Sequence, residues 1–536
     1  MEQRQPHSEP SASGPPVVLL WIALIFLFLI VVAAFAGLSY FSGGQRLATL
    51  IPYAGIAIAG GSLALIIGAI VFRRRLPRLL WLWTTVIVLV ALGIGGVGAV
   101  WAYRTVLPPR YQTQFMQEVP LLRALLPTPQ GGAVPTVAAT SAISVEDLLS
   151  APLIAATPTA SIAVETILPT ATPLPASPTP TPTQAMTLAP TSTTTPPPTS
   201  AVIAPTAATT AISQQVVDNF SAPTTSRIYG FTHIKQGWNN CGPANVTMAL
   251  SYYGWREDQD YAAGFLRPDE EDKNVSPGEI VNFINEQTGV RAVTRIGGDL
   301  DLLKQFIVNN IPVIIERSYA PEGYDWIGHY QTVVGYDDSA RIFYVYDSYL
   351  GTGVAGAGLT ESYTDFDSEW QAFNRVFIAI YEPAREAVVQ SILGERTDVM
   401  RANEIALETA RGEARADRQN PFAWFNMGTA LTKLGRYDEA ARYFDEARRL
   451  NLPFRMLWYQ FYPFQAYYEI GRYDDVIALV NNNLVNGGQY VEETYYWQGR
   501  VLAAQGSRTE AAAAFQRALV GNPRFAAAQQ ALNETG

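Results

Sequence analysis

The sequence predicts a multi-domain chain. Membrane-spanning helices come first, then a disordered Pro/Thr-rich stalk, an α+β domain and an all-α repeat array. Three observations predict this order. Long apolar runs crowd the first 104 residues, a stretch free of Lys and Arg follows, and the C-terminal part repeats itself. Between stalk and repeats, helical and alternating apolar patterns mix.

Composition narrows the function. The net charge is −10 and no basic stripe occurs, so nucleic acid is not an expected partner. Cys241 is the single cysteine, which excludes an internal disulfide and a cysteine-rich metal site. His7, His233 and His329 are the only histidines, too few for a histidine-built zinc site. No cofactor and no metal is expected.

Residues 1–16 are polar and read as a cytoplasmic tail. The apolar runs span about 17–40, 48–72 and 79–103, each long enough for a bilayer core of ~30 Å. The first run is too long for a cleaved signal, and two more follow it. The short loop Arg73-Arg74-Arg75-Leu76-Pro77-Arg78 is densely positive and should stay cytoplasmic. The N-terminus is then inside, and everything after about residue 104 lies outside the cytoplasm in a multi-pass cell-membrane protein. Residues 105–219 read as a linker, with Pro, Thr, Ala and Ser dominating from about 127 to 215. No Lys or Arg occurs between Arg123 and Arg227, and so little apolar surface cannot pack a core. As a stalk of ~90 residues it reaches between ~50 Å as a coil and ~280 Å fully extended. An apolar patch, Leu148, Leu149, Leu153 and Ile154, has the makings of a short helix.

Residues 220–383 form the α+β domain. A strand is expected over 227–235, then a helix beginning at Cys241 with Ala244, Met248, Ala249 and Tyr252 on its apolar side. Ser276-Pro277-Gly278-Glu279 is a capping-box start for a helix to about 287. Another helix is expected over 300–309. Strands follow at 312–317, 330–336 and 342–347, the last two joined by Asp337-Asp338-Ser339-Ala340 as a hairpin loop. A short helix near 367–373 and a strand over 376–381 close the domain. Helix first and antiparallel sheet after is an α+β order.

The chemistry-bearing stretch is Gln236-Gly-Trp-Asn-Asn-Cys241-Gly-Pro. Its polar turn and the helix start favour a reactive thiolate over a buried structural cysteine. Downstream stand Gly328-His329-Tyr330 and Tyr346-Asp347. The hairpin places His329 at the start of one strand and Asp347 at the end of its partner, so antiparallel pairing brings them together. Cys, His and Asp in this order, preceded by Gln, can complete a thiol-hydrolase site. His233 reads as structural, and Trp238 and Trp326 as candidates to line the cleft.

Over roughly residues 225–383 the constellation resembles the bacteriocin-processing cysteine peptidases, a papain-like family that removes double-glycine leaders, and still more their stand-alone relatives. The resemblance implies Cys241 as nucleophile, His329 as general base, Asp347 as its orienter and Gln236 as the oxyanion-hole side chain. Ser348 departs from the proline common after the orienting acid. A peptide or protein substrate is implied. A catalytically inactive binding module of the same fold, and a cell-wall peptide amidase or transpeptidase, are the other readings.

Residues 384–536 are helical and repetitive. Trp424, Gly428, Leu431, Gly435, Ala440, Phe444 and Ala447 recur 71 positions later as Tyr495, Gly499, Leu502, Gly506, Ala511, Phe515 and Ala518. Gly435-Arg436-Tyr437-Asp438 returns as Gly471-Arg472-Tyr473-Asp474. The pattern resembles tetratricopeptide repeats, with a period of about 34 residues. The middle repeat is degenerate, with Val476 and Val480 in the Ala440 and Phe444 places. Residues 385–417 are expected to cap or extend the array, which would offer a surface to a protein partner.

Overall fold

The computed structural model describes residue 86 and residues 133–136, 145–150, 222–320 and 325–536. The three apolar runs and their arginine loop lie outside the described residues, Val86 excepted. So does most of the Pro/Thr-rich linker. Among the described residues no helix is long and apolar enough to cross a membrane.

Two pieces of the expected linker are ordered, which corrects its reading as wholly disordered. Ala133 bridges to Pro453, and α1 (Val145–Ser150) packs on the repeat array. Val134, Leu148 and Leu149 are buried there. The apolar patch around Leu148 is thus a docking helix.

In the α+β domain β1 is only Thr225–Arg227, not the strand expected to residue 235. Ile228 N–H still donates to Val334 O at 2.8 Å, but Gly230 turns at φ +99 and the chain leaves the sheet. The freed stretch carries His233 and Gln236 to the far end of the hairpin. There follow α2 (Cys241–Ser251), α3 (Gln259–Leu266), α4 (Pro277–Gln287), β2 (Arg291–Arg295), α5 (Leu300–Val308), β3 (Val313–Tyr319), β4 (Ile327–Asp337), β5 (Ile342–Asp347), β6 (Leu359–Ser362), α6 (Tyr363–Trp370) and β7 (Phe377–Tyr381). The expected capping box at Ser276 is present, with the Ser276 and Glu279 side chains bonding each other's backbone N–H. The sheet order is β2-β7-β3-β4-β5-β6, all pairs antiparallel, with β1 added to β4. From Gly242 to Leu250 every residue of α2 is buried between the other helices and the sheet.

Helix α7 (Glu386–Leu393) was expected with the repeats. Its Val389 and Leu393 instead join the α+β core beside Phe306 and Tyr381. The array proper is α8 (Val399–Ala416), α9 (Pro421–Lys433), α10 (Tyr437–Arg449), α11 (Met456–Tyr459), α12 (Tyr462–Glu469), α13 (Tyr473–Val485), α14 (Glu492–Ala504), α15 (Arg508–Gly521) and α16 (Ala526–Thr535).

The repeated glycines let paired helices touch. A Cβ on Gly428 would lie 2.6 Å from the Phe444 ring, and one on Gly499 equally close to Phe515. Gly428→Ala is therefore expected to cost about 1–3 kcal/mol by overpacking. Gly412→Ala, with nothing within 4 Å, should be neutral or stabilising. Urea midpoints of the two variants check the contrast.

The array wraps the α+β domain. Trp326 stacks on Phe373 and on Phe422 with ring centroids 5.8 and 6.0 Å apart. Around this apolar seam Arg455 pairs with Asp325 at 3.0 Å, Asn426 Nδ2 donates to Gln371 O at 2.7 Å, and Asn274 Nδ2 donates to Glu493 at 3.1 Å.

Candidate active site

The turn that aims Cys241 is bolted by its polar neighbours. Asn239 adopts φ +52 and its amide donates to Asp272 O at 2.8 Å. Asn240 accepts from Arg267 Nη2 at 2.8 Å and donates to Gln259 Oε1 at 3.0 Å. Its side chain makes no capping bond to α2, so the helix start is left to act on the sulfur.

One turn further, Asn245 is fully buried and ties three elements together. Its amide N–H groups face Cys241 O and Tyr330 O, both at 2.9 Å, and Ser348 Oγ at 3.1 Å. Its oxygen accepts from Thr332 Oγ1 at 2.9 Å. This clamp fixes the start of α2 against β4.

The β4–β5 register does for His329 and Asp347 what the hairpin predicts. Asp347 lies opposite Gln331, and His329 stands two residues before Gln331 on the same face. His329 Nε2 meets Asp347 Oδ2 at 3.0 Å. The carboxylate can only accept, so Nε2 carries the proton and Nδ1 is left for the sulfur. Asp347 is fully buried and every bond around it is filled. Gln331 Nε2 donates to Oδ2 at 2.8 Å, and the N–H groups of Tyr349 and Leu350 donate to Oδ1 at 2.7 and 2.8 Å. Gln331 is oriented in turn by Arg317, whose Nη1 donates to its Oε1 at 2.8 Å.

The charges follow from this packing. Burial alone would raise the Cys241 thiol. The hydrogen bond and charge of His329, aided by the N–H groups of Tyr330 and Gly242, outweigh it and hold the thiol below its ordinary value. Burial disfavours the His329 cation, but the charge and hydrogen bond of Asp347, then Cys241, push the imidazole up to about 10. Burial also opposes the Asp347 anion, yet the His329 cation holds it well below the usual carboxylate range. The site thus favours a thiolate–imidazolium pair.

Gln236 sits at the same end. Its N–H donates to Ser348 O, and its Oε1 accepts from Ser348 Oγ, both at 2.8 Å. With Oε1 engaged, the amide presents Nε2 as its donor. The serine that departs from the expected proline therefore orients this glutamine. His233 Nε2 lies 2.9 Å from Asp347 O, supporting the turn. Trp238 Nε1 donates to Glu271 at 3.2 Å beside the Cys241 turn. Trp326 does not line the cleft; it stacks in the interdomain seam.

Ser348 is legible in the sequence only as a departure from the family pattern, and three residues escape sequence reasoning altogether: Asn245, Gln331 and Glu316. The last is buried at the wall of the Cys241 cavity. Burial, then the negative charge of Cys241, push its carboxyl well above the usual range. A charged residue inside the apolar run Ile314-Ile315-Glu316 was the available signal.

The cavity beside Cys241 is small, about 10 Å³, and Gly242, Lys273, Glu316, Gly328, Tyr330 and Tyr459 line it, leaving the cysteine partly exposed. Room for about one water remains. Tyr459 belongs to the repeat array. A Cβ on Gly328 would lie 2.6 Å from Phe373 and 3.2 Å from the Tyr459 ring.

Comparison with known proteins agrees with this architecture. Residues 226–378 match the family model described as Peptidase_C39 like family. Residues 421–452 match the model described as Tetratricopeptide repeat. The chain carries a Peptidase_C39-like domain followed by a tetratricopeptide repeat. No curated protein matches it. Among solved structures, one described as "MamA RS-1 ArsTM double mutant" is 22% identical over 25% of this chain and 74% of that chain, with a TM-score of 0.23. At that score the likeness carries no argument.

Proposed function

We propose that the chain is a membrane-anchored cysteine peptidase working outside the cytoplasm. The observation that carries the reading is the buried His329–Asp347 pair at 3.0 Å set against a thiol held below its ordinary value. The anchoring rests on the three apolar runs, and the orientation on the arginine cluster between the second and third.

The chemistry is acyl transfer. The Cys241 thiolate attacks a peptide carbonyl carbon. The developing oxyanion is met by the Gln236 amide and a backbone N–H at the start of α2. His329, protonated at Nδ1, gives that proton to the leaving amine, and the C–N bond breaks. The neutral imidazole then takes a proton from water as its oxygen attacks the thioester, releasing the acid and restoring the thiolate. Asp347 keeps the Nε2 proton in place throughout. The carboxyl of Glu316, pushed well above its usual range by burial, resists ionising at the cavity wall.

A thiol-directed electrophile carrying a reporter group tests the assignment. It should label the native chain at pH 6, and Cys241→Ala should lose the label along with all peptide cleavage. Labelling without cleavage of any peptide would favour a binding module of the same fold.

A further inference from the structure

The repeat array carries a ligand of its own: residues 133–136 and 145–150 of the same chain. The docking is specific. A six-residue helix leaves its last carbonyls unpaired, and the array supplies the donors. Leu149 O accepts from Arg411 Nε at 3.0 Å and from Arg415 Nη2 at 2.9 Å. Leu148 O accepts from Tyr443 Oη at 2.7 Å, and Pro135 O accepts from Arg448 Nε at 2.7 Å. The Val134, Leu148 and Leu149 side chains enter the array's core beside Leu407, Ala410 and Ala414.

The same strap grips the chain that covers Cys241. Val134 N–H donates to Leu452 O at 2.8 Å, and Ala133 bridges to Pro453. From Pro453 a tight turn runs directly into α11, with Met456 N–H donating to Pro453 O at 3.0 Å. That helix ends at Tyr459, which lines the Cys241 cavity and packs on Phe373 and Trp326. Only the short stretch from Leu452 to Tyr459 separates strap from cover.

We propose that the face made by α8 and α10 is a peptide-binding surface whose resident ligand is the chain's own pieces 133–136 and 145–150, and that their occupancy holds Tyr459 against the approach to Cys241. The surface recognises an apolar residue followed by a short helix with Leu148 and Leu149 in its last turn, whose carbonyls take tyrosine and arginine donors. With the strap seated, Tyr459 narrows the approach to Cys241, which stays partly exposed, so access to the sulfur is slowed rather than barred. With the strap gone, the 452–459 stretch loses its brace and the cavity opens. The binding surface stands by itself; the closing role rests on Cys241 being the reacting atom.

Alkylation of Cys241 by iodoacetamide, followed by mass spectrometry on the full chain, tests this without requiring turnover. Leu148→Asp with Leu149→Asp, Arg411→Ala with Arg415→Ala, and Tyr459→Ala should each speed alkylation about tenfold, within the usual range of coupling between sites. A synthetic peptide of residues 131–152, in excess, should restore the slow rate in the leucine variant and leave Tyr459→Ala fast. Native rates in the strap variants would overturn the coupling, and a native rate in Tyr459→Ala would overturn the cover. Fast alkylation that the peptide does not reverse, with a lowered melting temperature, would also overturn it, since lost folding then explains the access. A chain that behaves as expected here yet cleaves no peptide keeps this inference and loses the peptidase reading.

Discussion

Replacing His329 with alanine is expected to lower peptide cleavage about 10⁴- to 10⁶-fold in kcat, the scale on which a nucleophile and its base fail together. Two losses combine. No group remains to protonate the leaving amine, and the thiol loses the hydrogen bond and charge that hold it low. Burial then acts on the sulfur opposed only by the N–H groups of Tyr330 and Gly242. A thiol at the ordinary value of about 8.5 is thiolate in roughly one molecule in 300 at pH 6, so alkylation there should slow on the order of 10²-fold. The native pH profile carries the sign. Cleavage should fall on the acid side as the thiolate takes a proton, below the thiol's ordinary range. It should fall again on the alkaline side as His329 loses its proton near 10. Stopped assays of kcat/KM across pH check both limbs, and in His329→Ala the alkylation profile should rise with pH as a free thiol does.

The second large effect is Asp347→Asn, expected to cost about 10³- to 10⁴-fold in kcat with little change in KM. The amide oxygen can still accept from Tyr349 N–H and Leu350 N–H, which bond Oδ1 in the native chain. The amide nitrogen then faces His329 Nε2 and Gln331 Nε2, where Asp347 Oδ2 now accepts from both. Two donors meet a third donor. The imidazole relieves this by moving its proton to Nδ1, the nitrogen meant for the sulfur, and loses its cationic form. Thiolate absorbance near neutral pH should drop in this variant while the fold persists. A collapse of the fold instead would mean that Asp347 serves the turn more than the imidazole.

Much of the site was legible because its chemistry is written locally. Cys241 is surrounded by turn formers, and the strand signals on either side of Asp337-Asp338-Ser339-Ala340 fix which residues face each other. The helix at Ser276 announces itself through a capping box that needs no tertiary partner. What was not legible depends on distant neighbours. Asn245 sits on an apolar helix and gives no hint that it grips Tyr330 and Ser348. Ser348 looked like a departure and turns out to hold Gln236. The short strands β2 and β6 exist through pairing with β7 and β5, not through their own pattern. The strand expected to residue 235 stops early because Gly230 bends it toward the hairpin end. Helix α7 reads as one more repeat helix, and only its packing against α5 assigns it elsewhere.

The seated 133–150 segment also resets the reach of the molecule. On the proposed topology, with a bilayer exit at about residue 104, the tether to Ala133 is about 28 residues instead of the roughly 115 that reach residue 220, and a coil of about 28 residues spans only ~30 Å. The proline-rich stretch from 151 to 221 then lies between two anchored points, Leu149 on the array and Thr225 on the sheet. On that same topology a cut within the stretch would leave the proposed peptidase moored beside the lipid, and release would have to wait until the moored peptide let go.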